Sequence, residues 1–192
     1  MPHPVYLVRH GQSEWNVLRL TQGQTPHPSL TMLGRAQAAS AARLIAADLA
    51  TAGQAVRRIV TSDLVRAAET AEILGESLGA PVSLDVRLRE QDLGDLEGRG
   101  YEETWAAAEE IDWSDPTVPI AGGESLMAVY DRMAAALADI PPAEVTVLVS
   151  HGDAIRAAIA LLKGLKPHES EWVEVPNGAV TRIDGEVAWL GQ

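Results

Sequence analysis

Cysteine is absent from this 192-residue sequence, which excludes disulfide bonds, thiolate metal sites and a cysteine nucleophile. Basic residues are scarce, since 15 Lys and Arg stand against 27 Asp and Glu and give a formal net charge of −12. Such an acidic balance argues against nucleic-acid binding, because duplex binding depends on basic side chains that neutralise phosphates. Any anion that the protein binds must therefore be captured by a local basic pocket.

Long apolar runs are also missing from the sequence. No stretch approaches the roughly 18 residues of a membrane span, and the start Met1-Pro2-His3-Pro4 does not resemble a signal peptide. We therefore expect no membrane association and a cytoplasmic location. The apolar fraction of 46% is too high, and the charged fraction of 22% too low, for a disordered chain.

Short apolar strands alternate with helical patterns along the chain. Strands are predicted at residues 5–8, 57–61, 81–86, 145–149, 172–175, 179–183 and 186–190. Helices are predicted at residues 31–53, 62–78, 125–140 and 153–163, with Ser62 or Asp63, Ser125 and Asp153 as N-caps of the last three. This alternation predicts a three-layer α/β/α sandwich with a mostly parallel central sheet. We expect one domain over residues 1–192, with a lid-like insertion at about residues 97–124.

Two histidines occur in the same local context. Residues 8–11 read Val-Arg-His-Gly and residues 149–152 read Val-Ser-His-Gly, so each histidine follows an apolar strand and precedes a glycine. Ligands of parallel α/β sheets bind at the carboxyl ends of strands, where glycine lets a ligand approach the backbone. A lone histidine there more often satisfies a local turn, but the repeated context predicts that His10 and His151 face each other across a pocket.

An arginine beside the first histidine indicates which ligand this pocket takes. Arg9 carries a permanent positive charge, which is unfavourable next to a metal ion held by His10 and His151. A phosphate is favoured instead, because the planar guanidinium matches phosphate oxygens. Arg66 follows the strand at 57–61 and is expected at the same sheet edge, although an arginine on a helix surface is the commoner alternative for it alone.

Further motifs follow in a fixed order. They are Leu7-Val8-Arg9-His10-Gly11-Gln12-Ser13-Glu14-Trp15-Asn16, Leu30-Thr31-x-x-Gly34, Thr61-Ser62-Asp63-Leu64-x-Arg66-Ala67, Leu88-Arg89-Glu90, Gly94-x-x-Glu97-Gly98, Gly122-Gly123-Glu124-Ser125 and Ser150-His151-Gly152. This series closely resembles the signature of the histidine phosphatase superfamily, the phosphoglycerate-mutase-like proteins. The resemblance spans residues 5 to about 180 and implies the phosphoglycerate-mutase-like form of the sandwich.

The resemblance implies a role for each matching residue. His10 would be the nucleophile that takes the phosphoryl group as a phosphohistidine. Arg9, Arg66 and a protonated His151 would surround the phosphate and stabilise its charge during transfer. Glu90 would protonate the leaving oxygen and then activate the hydrolytic water. The phosphate-binding residues would be completed by Asn16, Gly11, Gln22, Gly23 and Gly152.

Other carboxylates compete for the acid role. Glu97 and Glu124 are the rivals, and a plain surface carboxylate is the alternative interpretation of Glu90 itself. Glu90 is favoured because it follows the strand-like segment at 82–88 and matches the position in the family. The arginines and the imidazolium would supply the positive charge, so the resemblance implies no metal and no cofactor.

The segment from residue 100 to residue 124 bears on whether a second substrate or water accepts the phosphoryl group. Mutases of the family carry extra arginine and lysine around the site, but this segment has neither and contains seven Asp and Glu. Leu93 stands where mutases usually have tyrosine, and Tyr101 where they have lysine. These departures favour a phosphatase acting on a small monoester with a neutral or weakly charged leaving group. The alternative is that the acidic residues only form a solvated helix face.

Two other functions stay open at this point: a phosphoglycerate-type phosphoryl mutase, and a weakly catalytic module that binds a phosphorylated ligand. The presence of Glu90 and His151 argues against the module, because a binder needs no general acid. The expected partner is a small-molecule phosphate ester. The hairpin predicted at residues 179–190, with Trp189, would also allow pairing with a second copy in a homodimer.

Overall fold

The computed structural model describes residues 3–169 and 172–191. The strands are β1 (Val5–Arg9), β2 (Arg58–Thr61), β3 (Val82–Leu84), β4 (Thr146–Ser150), β5 (Val180–Ile183) and β6 (Val187–Leu190). The helices are α1 (Glu14–Leu18), α2 (Met32–Ala50), α3 (Val65–Leu78), α4 (Tyr101–Ala108), α5 (Leu126–Ala138) and α6 (Gly152–Leu162). None of the described helices has the length and hydropathy that crossing a membrane requires.

All six strands belong to one sheet, in the order β3-β2-β4-β1-β5-β6. The first four strands in this order run parallel to one another, whereas β5 pairs antiparallel with β1 and β6 antiparallel with β5. The predicted mostly parallel sheet is therefore confirmed. The predicted final hairpin is present as β5 and β6.

Helices cover both faces of the sheet because its central strands are apolar on both sides. In β1, Tyr6 and Val8 pack in a cluster with the apolar residues of α2 and α3. Val5 and Leu7 of the same strand pack in a second cluster with residues of α5 and α6. A strand that buries alternate residues on opposite faces lies in the middle of three layers. The predicted α/β/α sandwich is thus confirmed.

Two of the predicted N-caps are wrong. Helix α6 begins one residue before Asp153, with His151 in the extended N-cap conformation (φ −131°, ψ 177°). The N-cap of α3 is Leu64 rather than Ser62 or Asp63, because the Ser62 hydroxyl instead accepts a hydrogen bond from the Leu64 amide within the turn.

Three other predictions differ from the structure. Residues 172–175 do not form a strand, although Val175 is buried, and β3 is shorter than the segment predicted at 81–86. No helix is predicted in the segment 97–124, but the structure has α4 there. No residue of α4 is fully buried, so its sequence lacks the apolar periodicity that identifies a helix.

Candidate active site

The two histidines meet because their strands are parallel neighbours. Arg9 and Ser150 are register partners at the ends of β1 and β4, so His10 and His151 leave adjacent strands at the same edge. Their ring centroids lie 5.0 Å apart, and both side chains are buried. The His10 amide donates a hydrogen bond to the Ser150 carbonyl at 3.0 Å, which continues the ladder to the first histidine.

The His10 ring is oriented by its own chain. Its Nδ1 lies 2.7 Å from the Gly11 carbonyl oxygen, and a carbonyl can only accept, so Nδ1 carries the proton. The Nε2 atom of the neutral ring then keeps its lone pair for attack. Burial, followed by the charges of Arg66 and Arg9, holds the pKa of His10 well below its usual value, which keeps the ring neutral at physiological pH.

Arg66 brings a buried positive charge to this pair. Its Nη1 donates to the Thr25 carbonyl at 2.9 Å and its Nη2 to the Gly23 carbonyl at 2.7 Å, while Nε has no partner among the described residues. Burial lowers the pKa of Arg66 to about 10, so the side chain is still charged at neutral pH. No carboxylate of the described chain forms an ion pair with it, which leaves its charge for a bound anion.

Arg9 is held in a similar way. Its Nη1 donates to the Val175 carbonyl, and its buried Nε has no partner within the described parts of the chain. Burial lowers the pKa of Arg9 as well. The irregular segment at 172–175 therefore positions Arg9, because the Val175 carbonyl accepts a hydrogen bond from its guanidinium.

Both ring nitrogens of His151 are buried without a hydrogen-bond partner among the described residues. Buried polar atoms are rarely left unsatisfied, because the lost hydration is not replaced. Burial and the charge of Arg66 hold the pKa of His151 well below its usual value, so this environment disfavours the imidazolium implied by the resemblance. A bound dianion would raise this pKa and supply the missing acceptor.

Glu90 lies at the N-terminus of α6. Its Oε1 accepts hydrogen bonds from the backbone amides of Gln91 (3.1 Å), Asp153 (3.0 Å) and Ala154 (3.3 Å). Burial and the neighbouring charge of Asp153 raise the pKa of Glu90, against the opposing effect of Arg9. A carboxyl group with a raised pKa holds a proton for a leaving group at higher pH than an ordinary carboxyl group does.

The two rival carboxylates are engaged elsewhere. Glu97 accepts from the Gln24 amide at 2.7 Å and from the Thr25 hydroxyl at 2.9 Å. Glu124 pairs with Arg132 at 2.9 Å, and although burial alone would raise the pKa of Glu124, hydrogen bonding to Arg132 lowers it. Both carboxylates therefore act as hydrogen-bond acceptors for loops and helices around the pocket, which favours Glu90 as the acid.

Asn16 and Gln22 take part in a network beside the histidines. The Asn16 Oδ1 accepts from the Ser13 amide at 2.9 Å and from Asn177 at 3.2 Å, and its Nδ2 lies 3.3 Å from the Tyr101 hydroxyl. The Gln22 side-chain oxygen accepts from the Ser13 hydroxyl at 2.7 Å. The carbonyl of Asn16 is thus committed to the protein, and its NH₂ group faces α4.

The predicted glycines contribute through the backbone. Gly23 has a positive φ of 47°, and a Cβ there would lie 2.0 Å from a Glu97 oxygen. A Cβ on Gly11 would lie 2.2 Å from the Gly34 carbonyl oxygen, so α2 approaches the turn after β1 too closely for any side chain. The Gly11 amide already donates to Thr70 at 3.1 Å. Gly152 is buried at the start of α6, beside Glu90.

Three residues near the pocket were not selected from the sequence: Arg132, Asn177, and Tyr101 as a hydrogen-bond partner. Asn177 donates to the His10 carbonyl at 3.2 Å, and Arg132 binds the chain around Glu90. Arg132 and the adjacent Asp131 are the charged residues of the otherwise mainly apolar α5, which is the one sequence signal at this position. Within the described ranges, no three His, Asp or Glu side chains are grouped so as to hold a metal ion.

The family model of the histidine phosphatase superfamily (branch 1) matches residues 5–187. This chain belongs to that superfamily. The resemblance found in the motifs is therefore confirmed for the fold and for the family.

Individual relatives of this histidine phosphatase differ in their named activities. A probable phosphoglycerate mutase from Cronobacter sakazakii is 37% identical, over 97% of this chain and 87% of its own. The solved structure of a mycobacterial glucosyl-3-phosphoglycerate phosphatase with VO₃ is 32% identical, with a TM-score of 0.79 over 99% of this chain and 98% of that one. A phosphoserine phosphatase variant from Entamoeba histolytica with phosphoserine is 26% identical, with a TM-score of 0.80 over 97% and 94%.

Proposed function

We propose that this protein hydrolyses phosphate monoesters through a phosphohistidine on His10, without a metal or cofactor. The observation that carries the proposal is the buried His10–His151 pair, with ring centroids 5.0 Å apart, under the charges of Arg9 and Arg66. Among the described residues, the ring nitrogens of His151 and the Nε atoms of both arginines have no hydrogen-bond partner. A tetrahedral dianion would accept from His151 and offset the two arginine charges, whereas a neutral ligand would leave this buried positive charge uncompensated.

The first step transfers the phosphoryl group to the enzyme. The lone pair of His10 Nε2 attacks phosphorus, and the bond between phosphorus and the ester oxygen breaks. Glu90 gives its proton to that oxygen, so the alcohol leaves neutral and Glu90 becomes a carboxylate. Arg9 and Arg66 offset the negative charge on the three equatorial oxygens throughout the transfer.

The second step returns the enzyme to its starting state. The Glu90 carboxylate takes a proton from water, and the resulting hydroxide attacks the phosphorus of phosphohistidine. The bond between phosphorus and Nε2 breaks, which releases inorganic phosphate and neutral His10. Glu90 is then protonated again, as its raised pKa favours.

A phosphoryl mutase is the second candidate, and the names of the relatives that are 36–37% identical support it. The charge of the chain around the pocket supports the phosphatase. Residues 100–124 contain no Lys or Arg, and six of their acidic side chains are exposed, so a second anionic group of a substrate would meet repulsion there. Both solved relatives described above are named phosphatases.

The decisive experiment is rapid-quench trapping of ³²P on the protein, with His10→Ala as the test variant and His3→Ala as a matched control outside the pocket. We expect acid-labile, base-stable label on the wild type and the control, and none on His10→Ala. Hydrolysis of an aryl phosphate by His10→Ala above about one per cent of wild type would contradict covalent catalysis, because losing a nucleophile costs several orders of magnitude.

Two inhibitors and one alternative substrate complete the test. Vanadate should inhibit, since it can fill the anion pocket, whereas EDTA should not; sensitivity to EDTA would indicate a metallohydrolase instead. Little phosphoryl transfer should occur between phosphoglycerates, and robust interconversion would establish the mutase. Ligand binding without any label on His10 would indicate a phospho-ligand binding module.

A further inference from the structure

A second cavity, of about 490 Å³, lies beside the phosphate pocket. It is lined by α4 and the chain on both sides of this helix, by α5 and α6, and by Pro167 and Trp172. Most of its wall is apolar, and the main contributors are Leu93, Leu96, Ile111, Trp113, Ile120 and Leu126. Its volume is in the range of cavities that bind small organic molecules.

The polar side chains in the wall already have partners in the protein. The Gln91 amide nitrogen donates to the Glu124 carbonyl at 3.0 Å, and the Tyr130 hydroxyl donates to the Leu165 carbonyl at 2.7 Å. Arg156 pairs with Asp153 at 2.6 Å. A ligand rich in hydroxyl groups would lose its hydration in this cavity and find few hydrogen bonds in return.

The cavity borders the carboxyl group that serves the leaving oxygen. Gln91 and Asp153 both line the cavity, and the backbone amides of both donate to Glu90 Oε1. A leaving oxygen that takes a proton from Glu90 therefore lies at the cavity's edge, and the rest of the leaving group has this space directly next to it.

The charge around the cavity acts against anionic leaving groups. The segment that follows α4 carries exposed carboxylates at Glu109, Glu110 and Asp112. The single arginine in the wall, Arg156, is neutralised by Asp153 and stacks on Trp172 at 4.8 Å. An uncharged leaving group avoids this repulsion.

We propose that this cavity binds the leaving group and selects esters of uncharged, mainly apolar alcohols, aliphatic or aromatic. This inference rests on the proposed hydrolase function and names its substrate class. It separates this protein from relatives named for phosphoserine and for glucosyl-3-phosphoglycerate, both of which are strongly polar.

The test compares kcat/KM for ethyl, butyl, hexyl and octyl phosphate with that for phosphoserine. The leaving alcohols of the alkyl series have nearly equal acidity, so differences report binding of the chain rather than chemistry. We expect kcat/KM to rise about fourfold per methylene, or about 200-fold from butyl to octyl, because each buried methylene contributes about 0.8 kcal/mol. Phosphoserine should be a poorer substrate than octyl phosphate.

Filling the cavity should remove this dependence. Ala108 at the end of α4 lines the cavity, whereas Ala106 on the same helix is exposed and does not. Ala108→Phe should reduce the ratio of kcat/KM for octyl phosphate to kcat/KM for butyl phosphate to less than about a fifth of its wild-type value, since the space for the alkyl chain is lost. Ala106→Phe should leave the ratio unchanged, and Ala157→Phe fills the cavity from α6 as a second test.

The outcomes separate the two proposals. If no monoester is hydrolysed and His10 is never labelled, the proposed function fails and this inference with it. If monoesters are hydrolysed with no increase along the alkyl series, the function stands and the inference is overturned. An increase that persists unchanged in both Ala108→Phe and Ala157→Phe also overturns it, because the chain then binds elsewhere.

Discussion

Replacing Arg132 by methionine should both destabilise the protein and slow its catalysis. The Arg132 side chain is only 14% exposed and donates to the carbonyls of Arg87 (2.7 Å), Arg89 (2.6 Å) and Glu90 (2.9 Å). Its other edge binds both oxygens of Glu124 at 2.9 Å. One guanidinium thus joins α5 to the segment that carries the proposed general acid.

The size of the effect follows from these five hydrogen bonds. Truncating one partner of a largely buried ion pair costs about 3–5 kcal/mol, because the other charge and its acceptors are left unpaired. Since Glu124 keeps 23% of its surface exposed, water recovers part of this loss. We expect the free energy of unfolding to fall by about 3 kcal/mol for Arg132→Met, which lowers Tm by about 6–12 °C in a domain of this size.

Urea unfolding measures the change in stability, with Arg43→Met as the control. Arg43 is exposed on α2, and arginine and methionine have similar helix propensities, so this substitution should change stability by less than about 0.5 kcal/mol. The catalytic readout is kcat for butyl phosphate against 4-nitrophenyl phosphate. Displacing Glu90 should slow the first more, because only the alkoxide leaving group needs its proton.

Two results would refute this reasoning. A loss of less than about 1 kcal/mol in Arg132→Met would mean that the five hydrogen bonds contribute no more than one ordinary bond. Equal reductions of kcat for the two esters would mean that Arg132 does not position Glu90. If Arg132→Lys partly restores the wild-type ratio of kcat for butyl phosphate to kcat for 4-nitrophenyl phosphate, a positioning role for Arg132 is supported, since lysine restores the charge and some of the contacts.

Three other perturbations test different parts of the site. Glu90→Gln should lower kcat for butyl phosphate by a factor of about 10²–10⁴. In the wild type, kcat/KM should fall as pH rises through the raised pKa of Glu90, and the variant should lack this fall. An unchanged pH profile would exclude Glu90 as the acid. Gly23→Ala should lower the free energy of unfolding by at least about 1 kcal/mol more than Gly53→Ala. Both glycines have a positive φ, but of the two only Gly23 would place the added Cβ against another atom, 2.0 Å from Glu97 Oε1. Equal losses in urea unfolding would show that this contact relaxes freely. In the wild type, the free energy of unfolding should fall on acidification below pH 6.5, because only the unfolded chain protonates His151 there. His151→Asn should reduce the slope of this fall by up to about 1.4 kcal/mol per pH unit. Identical slopes for variant and wild type would contradict the lowered pKa of His151.

The convergence of the histidines could be predicted from the sequence because it depends on short-range order. A residue that follows a buried strand lies at the strand's end, and two parallel neighbours end at the same edge. His10 and His151 needed only this rule. Asn16, Gln22 and Gly23 depended on the family resemblance, since their loops have no periodicity that fixes where they lie.

The role of Arg132 could not be predicted, because its partners are backbone carbonyls 42–45 residues away along the chain. Every residue carries such a carbonyl, so no pattern of side chains marks the acceptors. Helix α4 was not predicted because none of its residues is fully buried, so its sequence lacks the apolar periodicity of a packed helix. The apolar alternation at 172–175 was misleading, because Val175 is buried while its carbonyl serves Arg9.

The phosphate pocket depends on main-chain carbonyls, whereas the neighbouring apolar cavity depends on side chains. Arg66 and His10 are fixed by main-chain carbonyls, which single substitutions rarely displace. The wall around the second cavity consists mainly of side chains, on α4, α5, α6 and the segments on either side of α4, and one codon change can enlarge, shrink or recharge each of them. Laboratory evolution toward new esters should therefore accumulate its substitutions in that wall while the yield of phosphohistidine stays constant.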